Sequence, residues 1–407
     1  MNVVFIEPCF PQNQTRFVRA LAAVGARVHG IGERPFEALD EETQRSMVWY
    51  ERIGSVCDED ALLAAVRRAQ GREWIDRVEA TVEAHILPTA RVRETCGIPG
   101  TSVQTAFLCR DKPAMKEALR AGGIPTAAST GASSEEEVRA FADRVGFPII
   151  VKPRDAAGAS GTSRVENWEE LAHTVRQAGF ERGGSVAVEE FIEGHEGFYD
   201  TITIGGHVAH EFVTHYYPNV LEAMRARWIS PQFIATNRID SAPGYADLKE
   251  MGRKVLPILG IETSATHMEW FTGEKGLRFS EIGCRPPGVR AWDLYNAGNE
   301  IDLYHEWAMA VVHGRSDRVA SRRFSAGIIA LRPDRDGRIT GYEGVEEVRR
   351  RMAESMIDFH LPPPGTPTQP VEAGYMANAW VRLKHPDYDA LREMLDLVGR
   401  TLRVRAA

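Results

Sequence analysis

The first third of the chain alternates between two hydrophobic patterns. Residues 1–7, 27–32 and 74–81 carry short apolar runs typical of strands, whereas residues 15–25 and 58–70 repeat apolar side chains every three or four positions, as one face of a helix does. Strands that alternate with helices favour a parallel sheet flanked by helices. The pattern therefore predicts a small parallel βα domain at the start of the chain.

The pattern changes near residue 110. A helix is predicted there with Pro113 in its first turn, where a missing N–H costs nothing, and with Gly122 after its end. The predicted elements that follow are a helix over 133–146, an apolar strand over 147–153, a glycine-rich connection over 154–165, successive strands over 186–216 and a helix over 245–260. This part of the chain is thus predicted to be mixed α and β.

The last part combines irregular segments with strands. Residues 218–240 are rich in arginine, asparagine and aromatic side chains, and they are predicted to be irregular. Two late apolar runs, 324–331 and 378–385, are predicted strands, and a proline-rich loop separates them. The pattern predicts a C-terminal unit that contains strands.

Composition narrows the class of protein. The chain has 407 residues, 43% of them hydrophobic, which predicts two or three domains. Its net charge of −8 argues against nucleic acid as the main partner. No apolar run reaches the ~18 residues of a membrane span, and the start lacks the basic residues of a signal peptide. The five cysteines are scattered, which favours reduced thiols in a cytoplasmic protein.

Two carboxylates on one predicted hairpin are the first candidates for chemistry. Glu269 and Glu281 stand on apolar runs on either side of a turn, "TGEKG". Like charges opposite each other destabilise a sheet unless a cation separates them, and Mg²⁺ prefers a few carboxylates together with phosphates. The alternative is a pair on a solvated face. Arg285, just beyond, offers a planar donor for a carboxylate or phosphate.

A second group of candidates would hold phosphates. Lys152 ends an apolar strand, and the loop after it contains Gly158, Ser160 and Gly161. Backbone N–H groups of such a loop can cradle phosphate oxygens. The loop does not match G-x-x-x-x-G-K-[ST], and taken alone it is better interpreted as a plain surface loop; its place directly after Lys152 favours the phosphate interpretation.

A third group would hold a nucleoside. The strand that runs into Glu189, Glu190 and Ile192 could present its backbone to an adenine edge, and Glu196 could accept hydrogen bonds from ribose hydroxyls. An exposed acidic strand end is an equally good interpretation of this spacing.

Three further residues have open interpretations. His267 is a general base or a phosphate contact in one interpretation, and a buried, hydrogen-bonded strand histidine in the other. Arg225 and Arg227 lie in the irregular segment, where either could meet a substrate carboxylate. An exposed basic loop explains them equally well.

Taken in order, these segments resemble the ATP-grasp superfamily, and most closely its branch of L-amino acid ligases and carnosine synthase. The segments that carry the resemblance are "RDKPAMKEALRAGGIPT" with Lys112, "PIIVKP", the Gly/Ser loop, "VEEFIEGHE", "HMEW" and "FSEIGCRPPG". The resemblance implies an α/β chain in three parts: a pre-ATP-grasp βα domain over 1–110, an α+β nucleotide-binding module over 111–320 (lobes 111–190 and 191–320), and an α+β subdomain over 321–407.

The resemblance also implies roles for the candidates. Lys112 and Lys152 would contact ATP phosphates, and residues 155–163 would close over them. Glu189, Glu190 and Ile192 would line the adenine, and Glu196 would bind the ribose. Glu269 and Glu281 would bind Mg²⁺ or Mn²⁺, while Arg285 would act on the acceptor or the transition state. Many family members have Asn where this chain has Gly283, which puts a third metal ligand in doubt.

The implied reaction joins a carboxylate to an amine. The carboxylate would attack the γ-phosphate of ATP, and the amine would then displace phosphate from the acyl phosphate. Three alternatives stay open: another ATP-grasp reaction such as carboxylation, a non-catalytic nucleotide-binding regulator, and an NAD-dependent oxidoreductase. The missing G-x-G-x-x-G counts against the last. A homodimer is a family-based expectation.

Overall fold

The computed structural model describes residues 1–154, 161–371 and 375–407. Its strands are β1 Asn2–Ile6, β2 Arg27–Gly32, β3 Met47–Arg52, β4 Arg77–Glu79, β5 Ser129–Ala132, β6 Ile149–Pro153, β7 Ser163–Val165, β8 Val186–Glu190, β9 His195–Ile204, β10 His207–Tyr217, β11 Gln232–Ala235, β12 Ser264–Gly273, β13 Gly276–Gly283, β14 Ser325–Leu331, β15 Ile339–Glu343, β16 Met356–His360, β17 Ala379–His385 and β18 Arg403–Ala406.

The α-helices complete the architecture. They are α1 Gln14–Ala23, α2 Glu41–Arg45, α3 Glu59–Gln70, α4 Glu83–Cys96, α5 Val103–Leu108, α6 Lys112–Ala121, α7 Glu135–Val145, α8 Trp168–Gln177, α9 Val220–Ala223, α10 Ala246–Ile258, α11 Ala291–Asn299, α12 Leu303–His313, α13 Val345–Arg351 and α14 Tyr388–Thr401.

The N-terminal part is a parallel sheet in the order β3-β2-β1-β4. The central strand β1 is buried from Val3 to Ile6 because helices cover both faces of the sheet. The predicted parallel βα fold is confirmed, although β3 is missing from the sequence interpretation. Only Met47 of β3 is buried and the other side chains are half-buried or exposed, so this short strand has no buried face whose periodicity would mark it.

A small antiparallel sheet in the order β5-β8-β6-β7 follows. Its helix α6 begins where the side chain of Asp111 accepts a hydrogen bond from the N–H of Ala114, and Pro113 lies in the first turn, as predicted. Ser134 caps α7 in the same way. An N–H of Phe279 donates to the carbonyl of Pro125 at 2.8 Å, which joins this lobe to the next sheet.

A larger antiparallel sheet has the order β13-β12-β9-β10-β11-β14-β17-β16. Its strand β11 and the short helix α9 lie within residues 218–240, so the prediction that this segment is irregular is wrong in part. The strand consists of four consecutive buried residues that insert between β10 and β14. A run this short and buried on both faces shows no alternation that sequence reasoning could detect.

Three C-terminal strands, β14, β16 and β17, belong to this same sheet, whereas β15 and β18 form a separate two-stranded sheet. β14 pairs with β11, β17 pairs with β14, and α14 packs against them around Leu391 and Leu395. The domain boundary near residue 320 stays a prediction, since a continuous sheet crosses it. Within the described ranges, we find no helix that combines the length and apolar character of a membrane span.

Candidate active site

One cavity of about 900 Å³ collects most of the candidate residues. It lies between the small sheet and the face of the large sheet that β9, β12 and β13 form. The predicted residues that line it are Lys112, Lys152, Glu189, Glu190, Ile192, Glu196, Arg225, His267, Glu269, Glu281 and Arg285. Neither Arg227 nor Gly161 is among the described lining residues, and Gly158 and Ser160 fall outside the described part of the chain.

The two hairpin carboxylates face each other across the pair of strands. Glu269 and Glu281 are direct register partners, as the spacing around the turn predicts. Burial raises the pKa of Glu269 to about 8, and the nearby charges of Glu281 and Glu196 add to the effect. Burial also favours a higher pKa for Glu281, but the ammonium groups of Lys112 and Lys152 have the larger combined effect and lower the pKa of this carboxyl. The pair therefore holds charge that a cation would balance.

Two lysines approach Glu281, and a third lies beside the neighbouring Glu189. Nζ of Lys112 lies 3.5 Å and Nζ of Lys152 lies 3.8 Å from Oε2 of Glu281. The sequence interpretation misses the third, Lys116, which is fully buried and lies 2.7 Å from Oε2 of Glu189. Lys116 follows Lys112 by four positions on α6, so both project from one face of the helix. That spacing is the signal that could have found it.

The carboxylate of Glu189 bridges two of these lysines. Its Oε2 atom also lies 3.0 Å from Nζ of Lys152. Burial opposes ionisation of Glu189, yet Lys116 and Lys152 together hold its pKa down at about 2. For Lys116 burial dominates instead, and its pKa falls to about 8. The Glu189 side chain therefore orients Lys152, and any adenine contact of this residue would use its backbone.

Glu190 is also held by protein groups. Its carboxylate accepts the N–H of Ala128 at 3.1 Å and forms an ion pair with Lys275. Beyond it, Ile192 is buried. Together with Ala127, Ile150, Phe191, Phe271 and Phe279, it gives the cavity apolar walls suited to a flat ring.

Glu196 lies deeper, at the start of β9. Its Oε2 atom accepts the N–H of Val220, the first residue of α9, at 2.7 Å. Burial raises its pKa to about 7. This carboxyl group is thus positioned from the segment that sequence reasoning treats as irregular.

His267 is a hydrogen-bonded strand histidine that also lines the cavity, and its role as a general base or phosphate contact stays a prediction. Its Nδ1 atom lies 2.7 Å from Oδ1 of Asp200, a buried residue whose other oxygen accepts the hydroxyl of Tyr295 at 2.5 Å. Its Nε2 atom lies 3.8 Å from Oε1 of Glu269, on the cavity side. Asp200 therefore fixes the ring while Nε2 faces the cavity. Sequence reasoning misses Asp200 and Tyr295, because these residues come from β9 and α11 and only the fold brings them to His267.

Arg285 links this cavity to a second one. Its Nε atom donates to Oε2 of Glu83 at 2.8 Å, and its side chain also lines a cavity of about 710 Å³ against the N-terminal domain. A Cβ atom at Gly283 would come within 3.0 Å of the same carboxylate oxygen. The glycine that departs from the family pattern thus leaves room for the Glu83–Arg285 pair.

Comparisons with known proteins agree with this geometry. Residues 111–198 match the family model of the carbamoyl-phosphate synthase L chain, ATP binding domain. The chain is 30% identical over 279 residues to the L-arginine-specific L-amino acid ligase of Bacillus subtilis, a match that covers 67% of this chain and 66% of that protein. It is 25% identical over 261 residues to the alanine–anticapsin ligase of Bacillus subtilis strain 168, with coverage of 58% and 53%. The chain thus spans between half and two thirds of these relatives' length.

Solved structures extend the likeness to the complete chain. The crystal structure of L-amino acid ligase from Bacillus licheniformis superposes with a TM-score of 0.77 at 18% identity, covering all of this chain and 98% of that one. N5-carboxyaminoimidazole ribonucleotide synthetase from Thermotoga maritima gives 0.72 at 16% identity, with coverage of 100% and 99%. This chain belongs to the ATP-grasp superfamily.

The ATP-grasp site fits a magnesium nucleotide. The carboxyl groups of Glu269 and Glu281 are register partners that both line the cavity. Oxygen donors of this kind suit Mg²⁺, and Glu269 and Glu281 would hold it. The buried lysines lie on the same side, where they would meet phosphate oxygens.

The two arginines that are candidates for substrate binding, Arg225 and Arg227, lie in different surroundings in this ATP-grasp structure. Arg225 lines the cavity and donates to the carbonyl of Arg164 at 3.4 Å. Arg227 instead forms an ion pair with Asp336 away from the cavity lining. The geometry favours Arg225 over Arg227 as a substrate contact, and the role itself stays a prediction.

The raised pKa of Glu269 predicts how stability depends on pH. Between pH 4.5 and 8 the unfolded chain loses this proton while the folded chain keeps it, so folding stability falls as pH rises. Without Mg²⁺, the free energy of unfolding of the wild type should fall from pH 6 to 8 by on the order of 1 kcal/mol more than that of Glu269→Gln. Urea titrations of both proteins at pH 6 and pH 8 measure these free energies of unfolding. An equal change between the two pH values in the wild type and in Glu269→Gln would contradict the prediction.

Lys116→Met should weaken the lysine network without removing it. Glu189 keeps Lys152 at 3.0 Å but loses its nearer partner. We expect a stability loss of about 1–3 kcal/mol and a higher KM for ATP, because Lys152 is then less well oriented. Lys116→Arg should restore part of both. Urea unfolding and steady-state kinetics test this, and an unchanged KM for ATP in Lys116→Met would contradict the orienting role.

Proposed function

We propose that the protein is an ATP-dependent carboxylate–amine ligase that forms an amide or peptide bond and releases ADP and phosphate. One observation carries this proposal. The facing carboxylates of Glu269 and Glu281, bordered by Lys112 and Lys152, share a cavity with Arg285. That arrangement supplies both ends of a phosphoryl transfer to a carboxylate. The named activities of the relatives, an L-amino acid ligase and an alanine–anticapsin ligase, support it.

The chain's own residues would act mainly by position and charge. Lys112 and Lys152 stabilise the charge that spreads over the transferring phosphoryl group, and little covalent chemistry is required of the protein. Mg²⁺, when bound between the two carboxylates, would neutralise phosphate oxygens, and Mn²⁺ could take its place. The apolar walls around Ile192 would exclude water from the nucleotide.

The acceptor end lies near Arg285 and His267. The substrate carboxylate oxygen attacks the γ-phosphorus of ATP, and the bond to the ADP oxygen breaks. The amine nitrogen then attacks the acyl carbon, and the C–O bond to phosphate breaks. Arg285 would stabilise the carboxylate and the leaving phosphate. His267, held through Nδ1 by Asp200, would accept the amine proton at Nε2.

The substrates are proposed to be amino-acid-like. Arg225 and Arg285 would each meet a carboxylate, and the second cavity against the N-terminal domain offers room beside Arg285 for one of the two molecules. The cytoplasmic location and the homodimer that the sequence favours stay predictions.

The alternatives differ in what they require. A carboxylase would use bicarbonate in place of the carboxylate substrate, and the same cavity would serve it. A non-catalytic regulator would bind the nucleotide without turnover, and Gly283, where many family members have Asn, is the feature that favours it; the same glycine leaves room for Glu83 beside Arg285. An oxidoreductase would need a dinucleotide-binding turn after β1, where this chain has "EPCFPQNQ".

Release of ADP and phosphate across paired amino acids tests the proposal. With Mg-ATP, turnover should require both a carboxylate and an amine, and amide products should appear by mass spectrometry in equal amounts to ADP. Bicarbonate replacing one substrate would favour the carboxylase. ATP binding without turnover by any pair would favour the regulator.

A further inference from the structure

A second cluster of metal-binding side chains lies outside the cavity described above. His305 and Glu306 come from α12, and Asp317 follows in the segment after that helix. One ligand atom from each of these three residues lies within 4.8 Å of the other two. None of them lines the ATP-grasp cavity. The cluster thus has no part in the proposed reaction.

Glu306 gives this cluster an independent sign of a ligand. Its side chain is fully buried, with 0% exposure. Its Oε2 atom accepts the hydroxyl of Ser316 at 2.6 Å and lies 3.0 Å from Nε2 of His210. Its Oε1 atom is buried and, among the described residues, has no hydrogen-bond partner. A buried carboxylate oxygen left without a donor is costly unless a cation meets it.

Charge points the same way. Glu306 and Asp317 bring two carboxyl groups together, and like charges at this distance repel unless a proton or a cation lies between them. Nε2 of His210 lies 3.0 Å from Glu306, and Nε of Arg318 lies 3.9 Å from Asp317. Nε2 of His305 lies 3.3 Å from Oδ1 of Asp317, so an imidazole nitrogen is part of the same set. The Asp317 side chain is 38% exposed, which gives an ion a path from solvent.

We propose that His305, Glu306 and Asp317 bind a divalent transition-metal ion, with Zn²⁺ as the representative ion. One imidazole nitrogen and two carboxylate oxygens are donors that Zn²⁺ accepts, whereas Mg²⁺ and Ca²⁺ prefer oxygen alone. His210, Ser316 and the N–H of Asp317 all lie within hydrogen-bond distance of Oε2 of Glu306 and fix this carboxylate, as hydrogen-bonding partners of metal ligands commonly do.

The site would tie the first turn of α12 to the segment that follows the helix. His210 belongs to β10, so a bound ion would tie this strand, the helix and the following segment together through Glu306. Because the unfolded chain lacks the site, the ion stabilises the folded state. Zn²⁺ should therefore raise the unfolding temperature of the wild type.

Zinc binding to the full chain tests this proposal. Chelator-treated protein is dialysed against Zn²⁺, and bound metal is measured by atomic absorption together with the thermal shift. His305→Gln and Asp317→Asn should each lower zinc affinity at least about tenfold and remove the thermal shift. His173→Gln and Asp143→Asn, exposed positions on other helices, should leave both unchanged.

The catalytic carboxylates need a separate variant because they too could take Zn²⁺. Glu281→Gln should keep the zinc that His305→Gln loses. Circular dichroism and ATP turnover of the His305 and Asp317 variants should match the wild type, which excludes misfolding. The proposal is overturned when the wild type binds no zinc, when all variants bind equally, or when only Glu281→Gln loses it.

Discussion

Glu281→Gln should lower kcat/KM for ATP-dependent ligation by about a thousandfold. The substitution keeps the shape of the side chain but removes the charge that faces Glu269 and that Lys112 and Lys152 approach. A metal ion contributes several kcal/mol to transition-state stabilisation, and each 1.4 kcal/mol is a factor of ten. Steady-state ADP production at several Mg²⁺ concentrations measures the effect, and the Mg²⁺ requirement should rise with it.

The matched control is Glu250→Gln. Glu250 lies on α10, where it pairs with Lys254 at an exposed position. We expect wild-type kinetics and an unchanged Mg²⁺ requirement from this variant. Two results together would contradict the assignment of Glu281 as a metal ligand. The activity lost in Glu281→Gln would not change when Mg²⁺ or Mn²⁺ is added, and the metal affinity of the variant would equal that of the wild type.

Arg285→Ala should lower kcat by about 10²- to 10³-fold and leave ATP binding close to that of the wild type. Arg285 lines both cavities, and its guanidinium is the planar donor that we propose meets the acceptor. Lysine keeps the charge but loses the fork of donors, so Arg285→Lys should restore only a small part of the activity. Calorimetric ATP binding and single-turnover kinetics separate the two effects.

The partner of Arg285 supplies the control. Removing Arg285 leaves the Glu83 carboxylate without the donor that lies 2.8 Å away, which could disturb the site indirectly. Glu83→Gln keeps a hydrogen-bond acceptor and should cost much less than Arg285→Ala. The double variant should behave like Arg285→Ala alone. An equal loss of ATP affinity and turnover in Arg285→Ala would indicate a structural role instead.

Hydrophobic patterns predicted the elements with a long apolar run or one clear apolar face. Helix α1, strand β1 and the hairpin of β12 and β13 all appear where the pattern places them. The pattern failed for β11, because a buried strand of only four residues is too short to show a run or an alternation. It also missed β3, whose side chains are mostly half-buried or exposed. Local hydrophobic patterns therefore identify well-buried elements of sufficient length and miss short or weakly buried ones.

The site shows the same division. Spacing around a turn was enough to place Glu269 opposite Glu281, since hairpin register follows from turn length. Sequence reasoning could not pair Asp200 with His267 or Glu83 with Arg285. The first pair is 67 positions apart along the chain and the second is 202 positions apart. The separation of Arg225 from Arg227 depends on Asp336, which tertiary packing alone brings near.

Transfer of ¹⁸O from a labelled carboxylate substrate tests the central claim most directly. With the amino-acid pair that stimulates turnover, an acyl phosphate intermediate requires one ¹⁸O atom in each phosphate released and one in each amide product. We expect that result by mass spectrometry, and its loss with Glu281→Gln. Phosphate that carries no ¹⁸O, or ¹⁸O that appears in AMP, would contradict an ADP-forming carboxylate–amine ligase.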